Sequence, residues 1–174
     1  MRTILACALG LFLAQTAAME VKGLTLGQHT SLAALSAQFG HADCPDPAKF
    51  AQLGTVLPGL HLECHVPMTY LGFAGTATVY VDRGFVITGL AFPIPAGQED
   101  AVSATLEKKY GAPTSREGDP MDLVGFDAKG AQQKTTGKNP CTNWKRVQDA
   151  AVMVCPGQVT YTYVGNNTVN ANDL

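Results

Sequence analysis

VYVDRGFVITGLA (Val79–Ala91) lies without a gap over VMVCPGQVTYTYV (Val152–Val164), at an offset of 73, with Val, Val, Gly and Val coinciding at 79/152, 81/154, 84/157 and 86/159. Upstream, GQHTSLAALSAQFG (Gly27–Gly40) answers GQEDAVSATLEKKYG (Gly97–Gly111) with one residue inserted. Two matching pairs in the same order imply a tandem duplication of a unit of roughly 70 residues, and such repetition is read before any local pattern. The expected fold is α+β, a duplicated helix-plus-antiparallel-sheet unit with its helices packed on one face of the sheet. Residues 19–95 make the first unit, 96–165 the second, and 166–174 a polar, flexible tail.

Residues 1–18 read as a signal peptide. Arg2 supplies the positive start and Ile4–Leu13 an apolar stretch too short to span a bilayer. Gln15-Thr16-Ala17-Ala18 then offers small residues for cleavage after Ala18. A lipoprotein cut before Cys7 would leave too little apolar sequence ahead of it. The whole chain has 174 residues with 12 Lys and Arg against 14 Asp and Glu, and cleavage removes one of the bases. This mildly acidic balance argues against a nucleic-acid partner. No other stretch is long and apolar enough to span a membrane. The protein is expected in the periplasm or outside the cell.

Cleavage leaves Cys44, Cys64, Cys141 and Cys155. An even count in an exported chain reads as two disulfides, and sequence alone permits three connectivities. The repeat assignment favours bridges within units, Cys44–Cys64 and Cys141–Cys155. Geometry agrees for the second pair. A hairpin centred on Gln148 sets Cys141 opposite Cys155, and opposed strand residues lie within disulfide reach.

Leu32, Leu35 and Phe39 recur at helical spacing, as do Val102, Leu106 and Tyr110, and Gly40 and Gly111 end the two helices. Arg83-Gly84 reads as a two-residue type I′ turn and Pro156-Gly157 as type II, because proline cannot take a positive φ. A further hairpin is expected to centre on Gly75. Alternation then assigns faces. Leu71, Val79, Val81, Val86 and Leu90 fall on an inner face with Trp144, Val152, Val154, Val159, Tyr161 and Tyr163. Tyr70, Tyr80, Phe85 and Ile87 fall on the outer face, with Asn143, Lys145, Met153, Thr160 and Thr162 from the second unit. An open sheet face normally turns polar, so an aromatic row of Tyr70, Tyr80 and Ile87, extended by Phe85 and Met153, is a candidate protein-binding face. A covering loop, or the polar linker Lys129–Pro140, would also account for it.

The chemical candidate is GLHLECHV (Gly59–Val66). On a strand, His61, Glu63 and His65 share one face, and imidazole with carboxylate suits zinc or copper. A solvated outer face, backed by Leu62 and a bridged Cys64, explains the same pattern. No nucleophile elbow, phosphate loop or zinc-protease helix occurs. A cysteine nucleophile beside His65 would need Cys64 unpaired. No catalytic residue and no cofactor is assigned.

The motif G-x₇₋₈-L-x₃-[FY]-G opens each unit, and each unit carries its own cysteine pair. In layout the chain resembles the secreted β-lactamase-inhibitor proteins and, more distantly, small outer-membrane assembly lipoproteins built from one such unit. The resemblance covers most of residues 24–164 and rests on glycines, core aliphatics and cysteines. It implies an exported, non-enzymatic protein that grips an enzyme with a sheet face and hairpin loops. It transfers no inhibitory residue and no target. A periplasmic metal-binding protein using His61, Glu63 and His65, and a structural component of envelope machinery, are the alternatives.

Overall fold

The computed structural model describes residues 18–45, 61–126 and 131–165. The chain opens with a hairpin, β1 (Glu20–Val21) and β2 (Leu24–Thr25), and then forms α1 (Leu32–Phe39). β3 (Leu62–Tyr70), β4 (Phe73–Val81) and β5 (Ile87–Pro93) follow as a meander, and then α2 (Glu99–Tyr110). A separate hairpin, β6 (Pro120–Phe126) and β7 (Gln132–Lys138), precedes a second meander of β8 (Thr142–Val147), β9 (Ala150–Cys155) and β10 (Gln158–Tyr163). The two meanders join edge to edge through β5 and β10, giving one antiparallel sheet in the order β3-β4-β5-β10-β9-β8.

The α+β architecture of two helix-plus-sheet units does not hold. The chain is mainly β, with half of the described residues in strands, 16% in helix, and two helices among them. Two causes are visible. The large sheet runs unbroken across the expected boundary at residues 95 and 96. Two extra hairpins also raise the strand content, and one lies in sequence too polar to read as a strand. Gln132–Lys138, expected as linker, pairs along its whole length with Pro120–Phe126, because the ladder uses backbone groups that every residue but proline carries.

The helices do form where the apolar spacing places them. Ser31 caps α1, its Oγ accepting from Ala34 N at 3.1 Å. Gly40 ends it at φ 76°, the left-handed conformation that glycine adopts without a Cβ clash. α2 carries Glu99 and Asp100 in its first turn and Lys108 and Lys109 in its last, matching the helix dipole at both ends. Leu35, Val102 and Leu106 sit in the same buried cluster as the inner sheet residues.

That inner face is a continuous cross-strand row, Cys64, Val79, Leu90, Tyr161, Val152 and Trp144, one residue from each strand in sheet order. Met19, Val21, Leu24 and Leu26 of the first hairpin close over the same core. Trp144 is buried opposite Val152, and its indole N–H donates to Gly111 O at 2.8 Å. Tyr70 and Tyr161 join hydroxyl to hydroxyl inside the core. Burial pushes the Tyr70 hydroxyl up to about 12, against the hydrogen bond from Tyr161, and burial raises Tyr161 as well.

Each edge strand of the sheet carries one bridge from the chain that leaves a helix. Asp43 bridges to His65 on β3, exchanging backbone hydrogen bonds of 2.9 and 2.7 Å. Ser115 bridges to Asn143 on β8 in the same way. Cys44 is bonded to Cys64 and Cys141 to Cys155, the pairing expected, so a disulfide stands beside each of these bridges.

Candidate binding face

The face opposite the helices is traced by two cross-strand rows. His65, Thr78, Ala91, Thr160, Met153 and Asn143 make one; Glu63, Tyr80, Gly89, Thr162 and Ala151 make the other. Thr160, Thr162, Met153 and Asn143 therefore lie where alternation placed them, while Lys145 falls in the register shift between Trp144 and Val147 and has no partner in either row. The first-meander half differs, and two turns explain why.

The β3–β4 turn is Leu71-Gly72, with φ of 51° and 87°, and Gly75 lies inside β4 opposite Met68. This register turns Tyr70 inward, where it is 6% exposed and packs edge-on against Phe92 and Tyr161 at 5.8 and 5.9 Å. The β4–β5 connection is not the two-residue turn expected at Arg83-Gly84. The Asp82 carboxylate accepts from Gly84 N at 2.8 Å and from Val86 N at 2.9 Å, and Phe85 takes φ 57°. The loop is thereby one residue longer, with Asp82 paired to Val86. A second irregularity falls between Tyr80 and Val81, so that Val81 faces Ile87 and Tyr80 faces Gly89. Each one-residue slip exchanges faces. Ile87 is buried at 3% exposure, and Phe85 packs against the core from the turn. The row of Tyr70, Tyr80 and Ile87 does not exist; Tyr80 and Met153 are the two of the five expected face residues that remain on it.

What the face holds instead is a shallow groove of about 380 Å³ crossing the seam between the meanders. His61, Tyr80, Thr88, Gly89, Thr160, Thr162 and Tyr163 line it. Gly89 makes it possible. A Cβ there would stand 3.0 Å from Tyr161 O and 3.3 Å from Tyr80 Cδ2, so the bare backbone lets the Tyr80 ring lie over the strand. A glycine inside a strand marks such a close approach, and that was the signal in the sequence. Tyr163, expected on the inner face, lines the groove while packing over Gly27, where a Cβ would come within 2.6 Å of Cζ. Burial raises the Tyr80 hydroxyl above its ordinary value, and the Glu63 charge beside it adds to the effect.

His61, Glu63 and His65 do share the outer face, as read, but the structure does not gather them. Alternate strand positions stand roughly 7 Å apart, so the two imidazoles start about 13 Å from one another. Each is drawn to a different neighbour: His61 Nδ1 lies 3.3 Å from Thr88 Oγ1, and His65 Nδ1 3.3 Å from Thr78 Oγ1. Among the described residues, no three His, Cys, Asp or Glu side chains are placed to hold one metal ion. Cys64 is committed to its disulfide and is not a nucleophile. No helix among the described residues is long and apolar enough to cross a membrane. Comparison with protein-family models, curated proteins and solved structures finds no match to this chain.

Proposed function

We propose that the chain is an exported, non-enzymatic protein that binds another protein through the outer face of its six-stranded sheet, and that its partner is an enzyme it restrains. The observation that carries this reading is the groove at the seam. There the Tyr80 ring lies over Gly89, with His61, Tyr163 and a set of threonines around it. Tyrosine is enriched at the centres of protein interfaces and combines a large apolar surface with a hydroxyl at low conformational cost. The strands that carry Tyr80, Gly89, Thr160 and Thr162 have their other face in the core, which supports a surface preformed for a partner. Two disulfides suit an oxidising compartment, in support of a periplasmic or secreted location. The layout resemblance to secreted β-lactamase-inhibitor proteins points to an enzyme as the partner.

The test is capture from periplasmic extract and culture medium on immobilised chain 19–174, run in parallel with the Tyr80→Ala variant. A protein retained by the first and lost from the second supports the reading. Identical eluates from the two columns contradict it.

A further inference from the structure

Met19 is held more tightly than a residue at the start of an exported chain needs to be. Its side chain is 2% exposed within the core, and its sulfur accepts a hydrogen bond from Tyr110 Oη at 3.6 Å. Its carbonyl accepts from Leu26 N at 2.9 Å. Its nitrogen donates to Asp149 Oδ1 at 2.8 Å, and the residue before it, Ala18, is exposed. Asp149 sits in the β8–β9 turn, following Gln148 at φ 57°, and its own carbonyl accepts from Val164 N at 2.8 Å. A single turn thus ties the first core residue to the end of β10.

This is the residue that cleavage after Ala18 would leave first. We infer that the structure is built around the processed terminus: removal of residues 1–18 creates an α-ammonium on Met19 that forms an ion pair with the Asp149 carboxylate and locks the first hairpin onto the second meander. Hydrolysis by a signal-cleaving endopeptidase breaks the Ala18–Met19 C–N bond. The oxygen of water goes to the Ala18 carbonyl carbon, making a carboxylate, and the nitrogen leaves as an amine. With an ordinary pKa near 7.7–8.0 that amine is largely protonated at neutral pH. An amide that donated one hydrogen bond to the carboxylate becomes a cation with three donors at the same place, so that a direct attraction of opposite charges is added to a bond in which only the acceptor was charged. The unprocessed chain offers Asp149 only the amide. Processing therefore adds stability at the moment it releases the protein, through the mutual dependence of a terminus and a turn 130 residues apart.

The inference rests on the export reading and is independent of the binding face. Two measurements separate its parts. The intact mass of the protein recovered from an exporting host should correspond to a chain beginning at Met19; a chain beginning elsewhere overturns it. Thermal melts are then taken on chain 19–174 and on chain 17–174, which keeps Ala17-Ala18, each as wild type and as Asp149→Asn. The side-chain oxygen of asparagine preserves the hydrogen bond and removes the charge. The extension should lower the melting temperature by about 3 °C with Asp149 present, on the usual scaling for a chain of this size, and by much less with Asp149→Asn. Equal shifts in the two backgrounds, or no shift in either, would show that the ammonium adds nothing.

Discussion

Trp144→Ala is the substitution that separates the two faces of the sheet in one experiment. The indole is 2% exposed and stands at the end of the inner row behind Val152 and Tyr161. Its Nε1–H donates to Gly111 O, just past the end of α2. Truncation removes most of a large buried surface and leaves a cavity under that helix, a change that costs about 3–5 kcal/mol. Trp144→Phe keeps most of the apolar contact and gives up the hydrogen bond, worth about 1 kcal/mol, so its cost should be well below that of alanine. Urea unfolding reads both. With a slope near 2 kcal/mol/M, the alanine variant should unfold at a midpoint about 2 M lower with the slope unchanged. Tyr80→Ala, on the opposite face, should change stability by less than about 1 kcal/mol. A nearly neutral Trp144→Ala, or a Tyr80→Ala that is the more damaging of the two, would invert the assignment of the faces.

Three further outcomes are expected. Non-reducing peptide mapping should recover Cys44–Cys64 and Cys141–Cys155, and breaking either, across sequence separations of 20 and 14, should cost about 3 kcal/mol in the chain-entropy account; a Cys64–Cys141 peptide would refute the pairing. Because burial holds the Tyr70 proton in the folded state up to about pH 12, while the unfolded chain releases it near 10, stability should be full below pH 10 and fall between 10 and 12. Tyr70→Phe should lessen that loss and leave the part that the buried Tyr161 contributes, and an unchanged alkaline slope in chemical denaturation would count against it. Zinc should leave the melting temperature of the wild type and of a His61→Ala, His65→Ala variant equally unmoved, since a ligand that binds only the folded form raises its stability; a zinc-dependent rise abolished by the double substitution would restore the metal reading.

The second meander was more legible than the first, for local reasons. Cys141 and Cys155 are equidistant from Gln148, and that symmetry gives the pairing of Trp144 with Val152 that the sheet shows, although the turn itself is Gln148-Asp149, with Val147 opposite Ala150 after a register shift. Pro156 admits few turns, and Gly157 takes the positive φ, 80°, that a type II turn requires at that position. No such marker governs the first meander. Leu71 and Phe85 adopt φ of 51° and 57°, a conformation that bulky residues rarely take, so nothing in their identity announces a turn or an added loop residue. The two slips that follow carry Tyr70 and Ile87 into the core, and with them most of the expected aromatic row. The balance of helix and strand was lost for a different reason. β6–β7 has no apolar alternation over Gln132–Lys138, and its strand character lies in backbone pairing that composition does not display. The groove was half legible: Tyr80, Thr160 and Thr162 were on the right face, and Gly89 carried the clue to their close packing.

Whether the groove around Tyr80 is a binding surface or a solvated sheet face is decided by affinity. The direct measurement is the dissociation constant of the captured partner for wild-type protein and for Tyr80→Ala, taken beside their unfolding curves. An aromatic at the centre of an interface carries about 2 kcal/mol or more, so binding should be weakened by at least about tenfold with the unfolding curve nearly superimposed on the wild type. Equal affinity for the two proteins would place the interface elsewhere and overturn the proposed binding face.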